Sequence, residues 1–179
     1  MAAEFGSVVD AYGKWLDLSG DPELLPMIFG GVVANYLDGL PVWLMVIHLS
    51  GGGKSEILMG LSGSKKVYSV STLTPNSLAS AYGDDKQSLL PRLNGKVLVV
   101  KDMSSVTETS EEQRGTLLAY LRDAYDGKLE RVTGRGEIRW TGKFGMVAGA
   151  THAVEHGRKM EAMLGERFLT IRPKLVAPD

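Results

Sequence analysis

The stretch PVWLMVIHLSGGGKSEILMGL, residues 41–61, decides the fold of this 179-residue chain. Its first part, residues 41–48, is an apolar run rich in branched side chains, which is typical of a strand buried on both faces of a parallel sheet. Three consecutive glycines and the pair Lys54-Ser55 follow, and a short helix then ends near Gly63. Strand, glycine-rich loop and helix in this order are the context in which a phosphate-binding loop occurs.

The loop residues suit the binding of a polyphosphate. Glycines let the backbone bring several N–H donors close to the phosphates, and the helix that follows directs its positive end at them. A lysine there can reach the β and γ phosphates, and a following serine can offer its hydroxyl to Mg²⁺. The sequence therefore predicts a site for ATP and Mg²⁺. Its predicted residues are Gly51, Gly52, Gly53, Lys54 and Ser55.

One position departs from the phosphate-loop pattern. That pattern has glycine five residues before Gly53, where this chain has His48. We expect either that His48 makes the sharp turn out of the strand with some strain, or that the loop is wider than usual.

The rest of the chain alternates between strand and helix patterns, which predicts an α/β fold with a parallel sheet sandwiched by helices. We expect a helix that Asp21 caps and Gly39 ends, and a capping box of Ser110 with Gln113. The other expected elements are strands at 65–71, 96–102, 143–151 and 167–173, helices at 8–18, 74–83, 110–127 and 153–163, and a hairpin at 128–142.

Three segments are expected along the chain. Residues 1–7, MAAEFGS, match in-frame cloning sites, so we set them apart from the fold. Residues 8–39 are expected to form N-terminal helices, and residues 40–179 the phosphate-loop core.

Composition excludes several kinds of site. Cysteine is absent, so disulfides, thiolate metal sites and cysteine nucleophiles are excluded. The histidines His48, His152 and His156 are too scattered to indicate a metal site. The net charge of −1 argues against nucleic-acid binding over the whole surface but allows a local basic patch. No apolar run reaches membrane-spanning length, so we expect a cytoplasmic protein without membrane contact.

Asp102 is the candidate carboxylate of the site, because it follows the apolar run 97–100 and the carboxyl ends of parallel strands bind ligands. The usual ATPase pattern places Asp-Glu after such a run, whereas this chain offers either Lys101-Asp102 or Asp102-Met103. Asp102 is thus either a metal ligand or a general base. The following acids can substitute for the missing one, although a solvated helix start explains them better. These are Glu108, Glu111 and Glu112.

Two further candidates follow strand and helix patterns. Thr151 ends a buried strand and can orient the attacking water, or it can cap the next helix. Arg167 precedes the last strand and can stabilise charge on a transferring phosphoryl group, in cis or from a neighbouring subunit. A salt bridge from Arg167 to Glu166 or another nearby acid is the alternative.

The hairpin at 128–142 is a candidate nucleic-acid contact. Between Lys128 and Lys143 the sequence has five basic and two acidic residues, with a Gly-Arg-Gly tip at 134–136. A basic finger with an aromatic side chain, here Trp140, suits a phosphate backbone. The candidate contacts are Arg131, Arg135 and Arg139, and an ordinary exposed hairpin is the alternative.

Residues 40–173 resemble an AAA+ ATPase core. The stretch LLAYLRDAYDGKLERVTGRGEIRWTGKFGMVAGATH, residues 117–152, resembles enhancer-dependent transcription activators and minichromosome maintenance helicases, in which a β-hairpin precedes the sensor-1 strand. The likeness implies that Thr151 is sensor 1 and that Arg167, in GERF, is the arginine finger. PVWLMVIH with its loop also resembles phage and mobile-element replication ATPases. AAA+ proteins carry a helical lid after the last strand, whereas this sequence ends six residues beyond Pro173. We therefore expect no lid in this chain, either because the sequence is a piece of a longer protein or because the protein works without one.

Two functions remain open. The first is the ATP-hydrolysing motor core of a DNA-handling protein, helicase-like or acting in replication, in a homo-oligomeric ring of hexamer type. The second is a nucleotide-binding switch or assembly module that hydrolyses little, which His48 and the single acid favour. A transcription activator is a third possibility, but no loop for contacting a polymerase is evident in the sequence.

Overall fold

A computed structural model of the chain describes residues 2–51, 53–80, 88–133, 136–152 and 167–174. Its strands are β1 (Trp43–Ile47), β2 (Val67–Val70), β3 (Val97–Val100), β4 (Lys128–Thr133), β5 (Gly136–Thr141), β6 (Gly145–Ala150) and β7 (Phe168–Ile171). Its helices are α1 (Ala2–Gly13), α2 (Leu24–Ala34), α3 (Lys54–Leu61), α4 (Pro75–Leu78), α5 (Leu90–Leu93) and α6 (Glu111–Tyr125), with a 3-10 helix at Ser104–Glu108.

Five parallel strands form the central sheet in the spatial order β2-β3-β6-β1-β7. In the register, Ile47 of β1 pairs with Ala150 of β6, and Val100 of β3 pairs with Ala148 of β6. Because β6 lies between β1 and β3, the carboxyl ends of these three strands are side by side. The predicted parallel sheet is confirmed, and the segments after these strands meet at one edge.

Helices cover both faces of the sheet, which explains why every residue of β1 is buried. Successive side chains of a strand point to opposite faces. Trp43, Met45 and Ile47 pack in a cluster with α4, α5, α6 and the β4–β5 hairpin. Leu44 and Val46 pack in a second cluster with α2 and α3. This confirms the predicted sandwich of helices around the sheet.

The hairpin of β4 and β5 forms an antiparallel sheet of its own, as predicted. Leu129, Ile138 and Trp140 are buried in the same cluster as α6, so one side of the hairpin packs against the core. Its tip, residues 134–135, lies outside the described residues.

The N-terminal helix α1 begins at Ala2 and so extends into the segment that the sequence set apart from the fold. The ring of Phe5 contacts that of Phe29 edge to face, with centroids 5.9 Å apart. The Tyr12 hydroxyl donates to the Ile57 carbonyl of α3 over 2.9 Å. Helix α1 thus packs on α2 and α3.

The predicted cap of α2 is wrong. The helix starts at Leu24, and its N-cap residue Glu23 makes no side-chain capping bond. The Asp21 carboxylate instead accepts the backbone N–H of Lys174 over 3.2 Å, a contact 153 residues distant in sequence that local patterns do not reveal.

One half of the capping box predicted for α6 is confirmed, because the Ser110 hydroxyl accepts the N–H of Gln113 over 3.3 Å. Helix α4 is capped by Thr74 and is shorter than predicted, ending at Leu78 within the described residues. Helix α5 and the 3-10 helix were not predicted. The helix expected at 153–163 falls outside the described residues.

Candidate functional site

The loop between β1 and α3 turns at two glycines. Gly51 and Gly53 have φ angles of 78° and 75°, in the left-handed region that side chains with a Cβ rarely adopt. His48 has no positive φ, and its N–H donates to Ala150 over 3.1 Å, continuing the strand ladder. The expected strain at His48 is therefore absent, because the chain turns later, at the glycines. Gly52 lies outside the described residues.

The N-terminus of α3 opens toward this loop. Gly53 is the N-cap residue and has no side chain with which to cap the helix. The first hydrogen bond of the helix runs from Ile57 N–H to Gly53 O over 3.1 Å. The N–H groups of the first turn precede that bond and have no partner within the helix, which makes such a terminus suited to an anion. The Ser55 side chain lies exposed in this turn.

Lys54 places a cation inside the loop. Its side chain is buried, with 9% of the residue exposed, and its Nζ donates to the carbonyls of His48 over 3.1 Å and Leu49 over 2.8 Å. Burial lowers the pKa of Lys54 below its ordinary value, and the nearby charges of Asp102 and Glu56 partly offset this effect. The ammonium group therefore lies in a site where added negative charge would be favourable.

Asp102 lies exposed just beyond β3, at the same edge as the loop, and its charge acts on Lys54. Its Oδ1 accepts the N–H of Ser104 over 2.8 Å. Met103 is fully buried, with its N–H donating to Gly149 over 2.7 Å. Asp102 is therefore the acid that β3 presents at this edge. The three glutamates at the end of the 3-10 helix and the start of α6 are exposed, as the solvated interpretation predicts. They are Glu108, Glu111 and Glu112.

Thr151 lies between the loop and Asp102, because β6 lies between β1 and β3. Its N–H donates to Ser104 Oγ over 2.8 Å, and its Oγ1 is 3.0 Å from the same atom. Ser104 was not predicted from the sequence, where its available signal is a hydroxyl two residues after the strand-end aspartate. The alternative, that Thr151 caps the next helix, concerns residues outside the described ones.

His48 carries an unusual polar atom. Its Nδ1 is buried, and within the described residues it has no hydrogen-bond partner. The His48 carbonyl accepts from Lys54, so the residue belongs to the site through its backbone.

Arg167 lies at the amino ends of the strands, opposite the end that carries the loop. The neighbouring Phe168 pairs with Trp43, at the start of β1, about 13 Å along the strand from Ile47. The Arg167 Nη2 donates to both carboxylate oxygens of Asp126, over 3.2 and 3.1 Å. Its guanidinium lies 5.4 Å from the centre of the Tyr125 ring. The structure thus does not bring Arg167 near Lys54 of the same chain, and the salt bridge considered as the alternative is made with Asp126.

The arginines along the hairpin arms face acids. Arg131 forms an ion pair with Asp123 of α6. Arg139 pairs with Glu137 over 2.7 Å, and this contact raises the pKa of Arg139. Each arginine thus has an acidic partner, which reduces the positive potential along the two strands of the hairpin. Arg135 lies outside the described residues.

Within the described ranges, no group of three His, Cys, Asp or Glu side chains is placed to hold a metal ion. Mg²⁺ needs no such group, since it commonly takes one or two protein oxygens together with phosphates and water. The exposed Ser55 hydroxyl and Asp102 carboxylate are oxygen ligands of the kind that this ion prefers.

In the described part of the chain, no helix has the length and apolar character needed to cross a membrane.

No family model matches the chain, and the search of curated proteins also found no match.

Proposed function

We propose that the chain binds ATP with Mg²⁺ at the carboxyl edge of the sheet and hydrolyses it. The observation that carries this proposal is the buried Lys54 ammonium, which lies in a loop of left-handed glycines at an open helix N-terminus. Among the described residues its hydrogen bonds go to carbonyl oxygens and not to an acid, and a cation buried in this way costs free energy unless an anion binds. Triphosphate supplies that anion, and the loop geometry supplies its N–H donors.

Hydrolysis needs a water molecule aligned with the γ-phosphate. Asp102 and Thr151 lie beside the loop, where a carboxylate can accept a proton or hold Mg²⁺ and a hydroxyl can orient water. In the reaction the water oxygen bonds to the γ-phosphorus and the bond to the bridging oxygen breaks. ADP leaves with the electron pair, and the water proton passes to Asp102 or to solvent.

The AAA+ likeness is the finer part of the proposal. In support, β6 ends at Thr151 between the loop strand and the Asp102 strand, and the hairpin directly precedes β6. Arg167 lies at the far edge of its own sheet, so its role in hydrolysis would be at the site of a neighbouring copy. This placement favours a homo-oligomeric ring in which each arginine completes the next site.

DNA is the proposed partner of the motor. The hairpin is anchored on the core by Leu129, Ile138 and Trp140, which holds it as one unit with the helices of that face. Because Arg131 and Arg139 are paired with acids, we propose that Arg135 at the tip makes the main phosphate contact.

The second candidate is a nucleotide-binding switch with little hydrolysis. It is favoured by the single acid that β3 presents at the edge, where two are usual in the ATPase pattern. Binding alone would then order the loop and alter how copies assemble.

Calorimetry and a phosphate-release assay test both candidates. We expect Lys54→Ala to abolish Mg·ATP binding while the fold survives, because the Lys54 amine is bonded to the loop rather than to the core. Asp102→Asn should keep the affinity and reduce turnover by orders of magnitude. Unchanged affinity in Lys54→Ala refutes the site, and tight binding without wild-type turnover selects the switch.

A further inference from the structure

Ser104 is bonded to both polar groups that flank the loop. It begins the 3-10 helix, and only 8% of its surface is exposed. Its backbone N–H donates to Oδ1 of Asp102 over 2.8 Å, which orients that carboxylate. The second carboxylate oxygen, Oδ2, takes no part in this bond. The backbone N–H of Ser104 therefore restrains the orientation of the Asp102 carboxylate.

The side chain of Ser104 makes the second connection. Its Oγ accepts the N–H of Thr151 over 2.8 Å and lies 3.0 Å from Oγ1 of Thr151. Asp102 follows β3 and Thr151 follows β6, so Ser104 connects residues that are 49 positions apart in the sequence. A hydroxyl held at two points, the N–H and the side chain of one residue, restricts the rotamer of Thr151.

The surrounding backbone makes this connection rigid. The N–H of Met103 donates to Gly149 over 2.7 Å, and that of His48 donates to Ala150 over 3.1 Å. A Cβ on Gly149 would lie 2.5 Å from the carbonyl oxygen of Lys101, so the two strand ends approach as closely as glycine allows. Groups held on such rigid elements keep their geometry within the narrow range that catalysis requires.

We propose that Ser104 is a positioning residue for ATP hydrolysis, acting through the Thr151 hydroxyl beside the Asp102 carboxylate. The inference rests on the proposed function, because it assigns Ser104 a role in that reaction. In this role Ser104 does not touch the phosphates. It fixes the angle from which Thr151 meets the attacking water.

A purely structural role is the alternative. Ser105 offers a matched control, since its hydroxyl donates to the backbone carbonyl of Asp102 over 3.1 Å. Either serine-to-alanine change removes a hydroxyl that is hydrogen-bonded beside Asp102, so both should lower stability. Ser105→Ala leaves the link to Thr151 in place. If Ser104 acts only through stability, both variants should affect turnover equally.

The test is steady-state ATP hydrolysis with calorimetric ATP binding and urea unfolding on the same preparations. We expect Ser104→Ala to lower kcat roughly ten- to hundredfold, as loss of supporting partners does elsewhere, with Kd for Mg·ATP unchanged. Ser104→Thr keeps the hydroxyl and should recover part of the rate, and Ser105→Ala should keep most of it.

A double-mutant cycle with Thr151→Val isolates the pathway. If Ser104 acts through the Thr151 hydroxyl, the double variant should be no slower than the slower single variant. Multiplying effects, or an unchanged kcat in Ser104→Ala, overturn the inference while wild-type turnover upholds the proposed function. Absence of wild-type turnover overturns the hydrolysis proposal and this role together.

Discussion

The buried ammonium of Lys54 makes the stability of this chain depend on pH in a specific direction. Burial lowers the pKa of Lys54 in the folded chain below the ordinary value of 10.5 that it has when unfolded. Between these two values the unfolded chain binds more protons, so the free energy of unfolding rises with pH. Below the folded pKa the full cost of burying the charge is present.

The slope follows from linkage. For one group, stability gains up to about 1.4 kcal/mol per pH unit within that window. The hydrogen bonds from Nζ to His48 and Leu49 contribute about 1.5–3 kcal/mol each as charged bonds. Removing an ion from water costs several kcal/mol, and the lowered pKa indicates that this cost is the larger.

Urea unfolding of the wild type and Lys54→Met at pH 7, 8, 9, 10 and 11, a series that extends past the ordinary pKa of 10.5, measures this effect. Methionine keeps the apolar stem without the charge, and the titration of all other groups cancels in the difference between the two proteins. We expect the wild type to gain stability relative to the variant as pH rises. Saturating Mg·ATP should weaken the pH dependence of this stability difference, because phosphate charge favours the ammonium form of Lys54. A difference that is constant with pH, or that reverses sign, refutes the reasoning.

Two further predictions concern the far edge of the sheet and the hairpin. If the proposed ring forms, chains with Arg167→Ala and chains with Lys54→Ala should each be inactive alone and regain some turnover when mixed, because an intact loop then meets an intact arginine. Proven co-assembly without recovery would place the role of Arg167 within its own chain. Arg135→Ala should weaken DNA binding equally across sequences and lower the salt slope by about one unit, with ATP affinity unchanged. An unchanged slope, with altered assembly, would assign the hairpin to contacts between subunits.

The parallel sheet was predictable because its strands are buried on both faces. An apolar run such as Val97–Val100 cannot lie at a surface, and alternating helix patterns require crossover connections. The loop was also predictable, since consecutive glycines followed by Lys54 and Ser55 between a strand pattern and a helix pattern indicate a turn of this kind. These features depend on the chemistry of neighbouring residues, which sequence displays directly.

Contacts between residues distant in the chain required the tertiary structure. Asp21 is of a residue type that favours helix caps, yet its carboxylate accepts a hydrogen bond from the backbone N–H of Lys174, which follows β7. Arg131 suggested a basic surface, but the packing of α6 on the hairpin sets Asp123 against it. Local propensity carries no information on such partners, because strand order decides which segments meet.

The site divides in the same way. Sequence alone determined that Lys54, Ser55 and Asp102 follow buried strands, and hence that they gather at a carboxyl edge. Only the tertiary structure decided that Thr151 lies between them, that Ser104 joins it to Asp102, and that Arg167 lies at the opposite edge. The physical reason is that β6 inserts between β1 and β3 while β7 adds beyond β1, and this order depends on packing across the whole sheet.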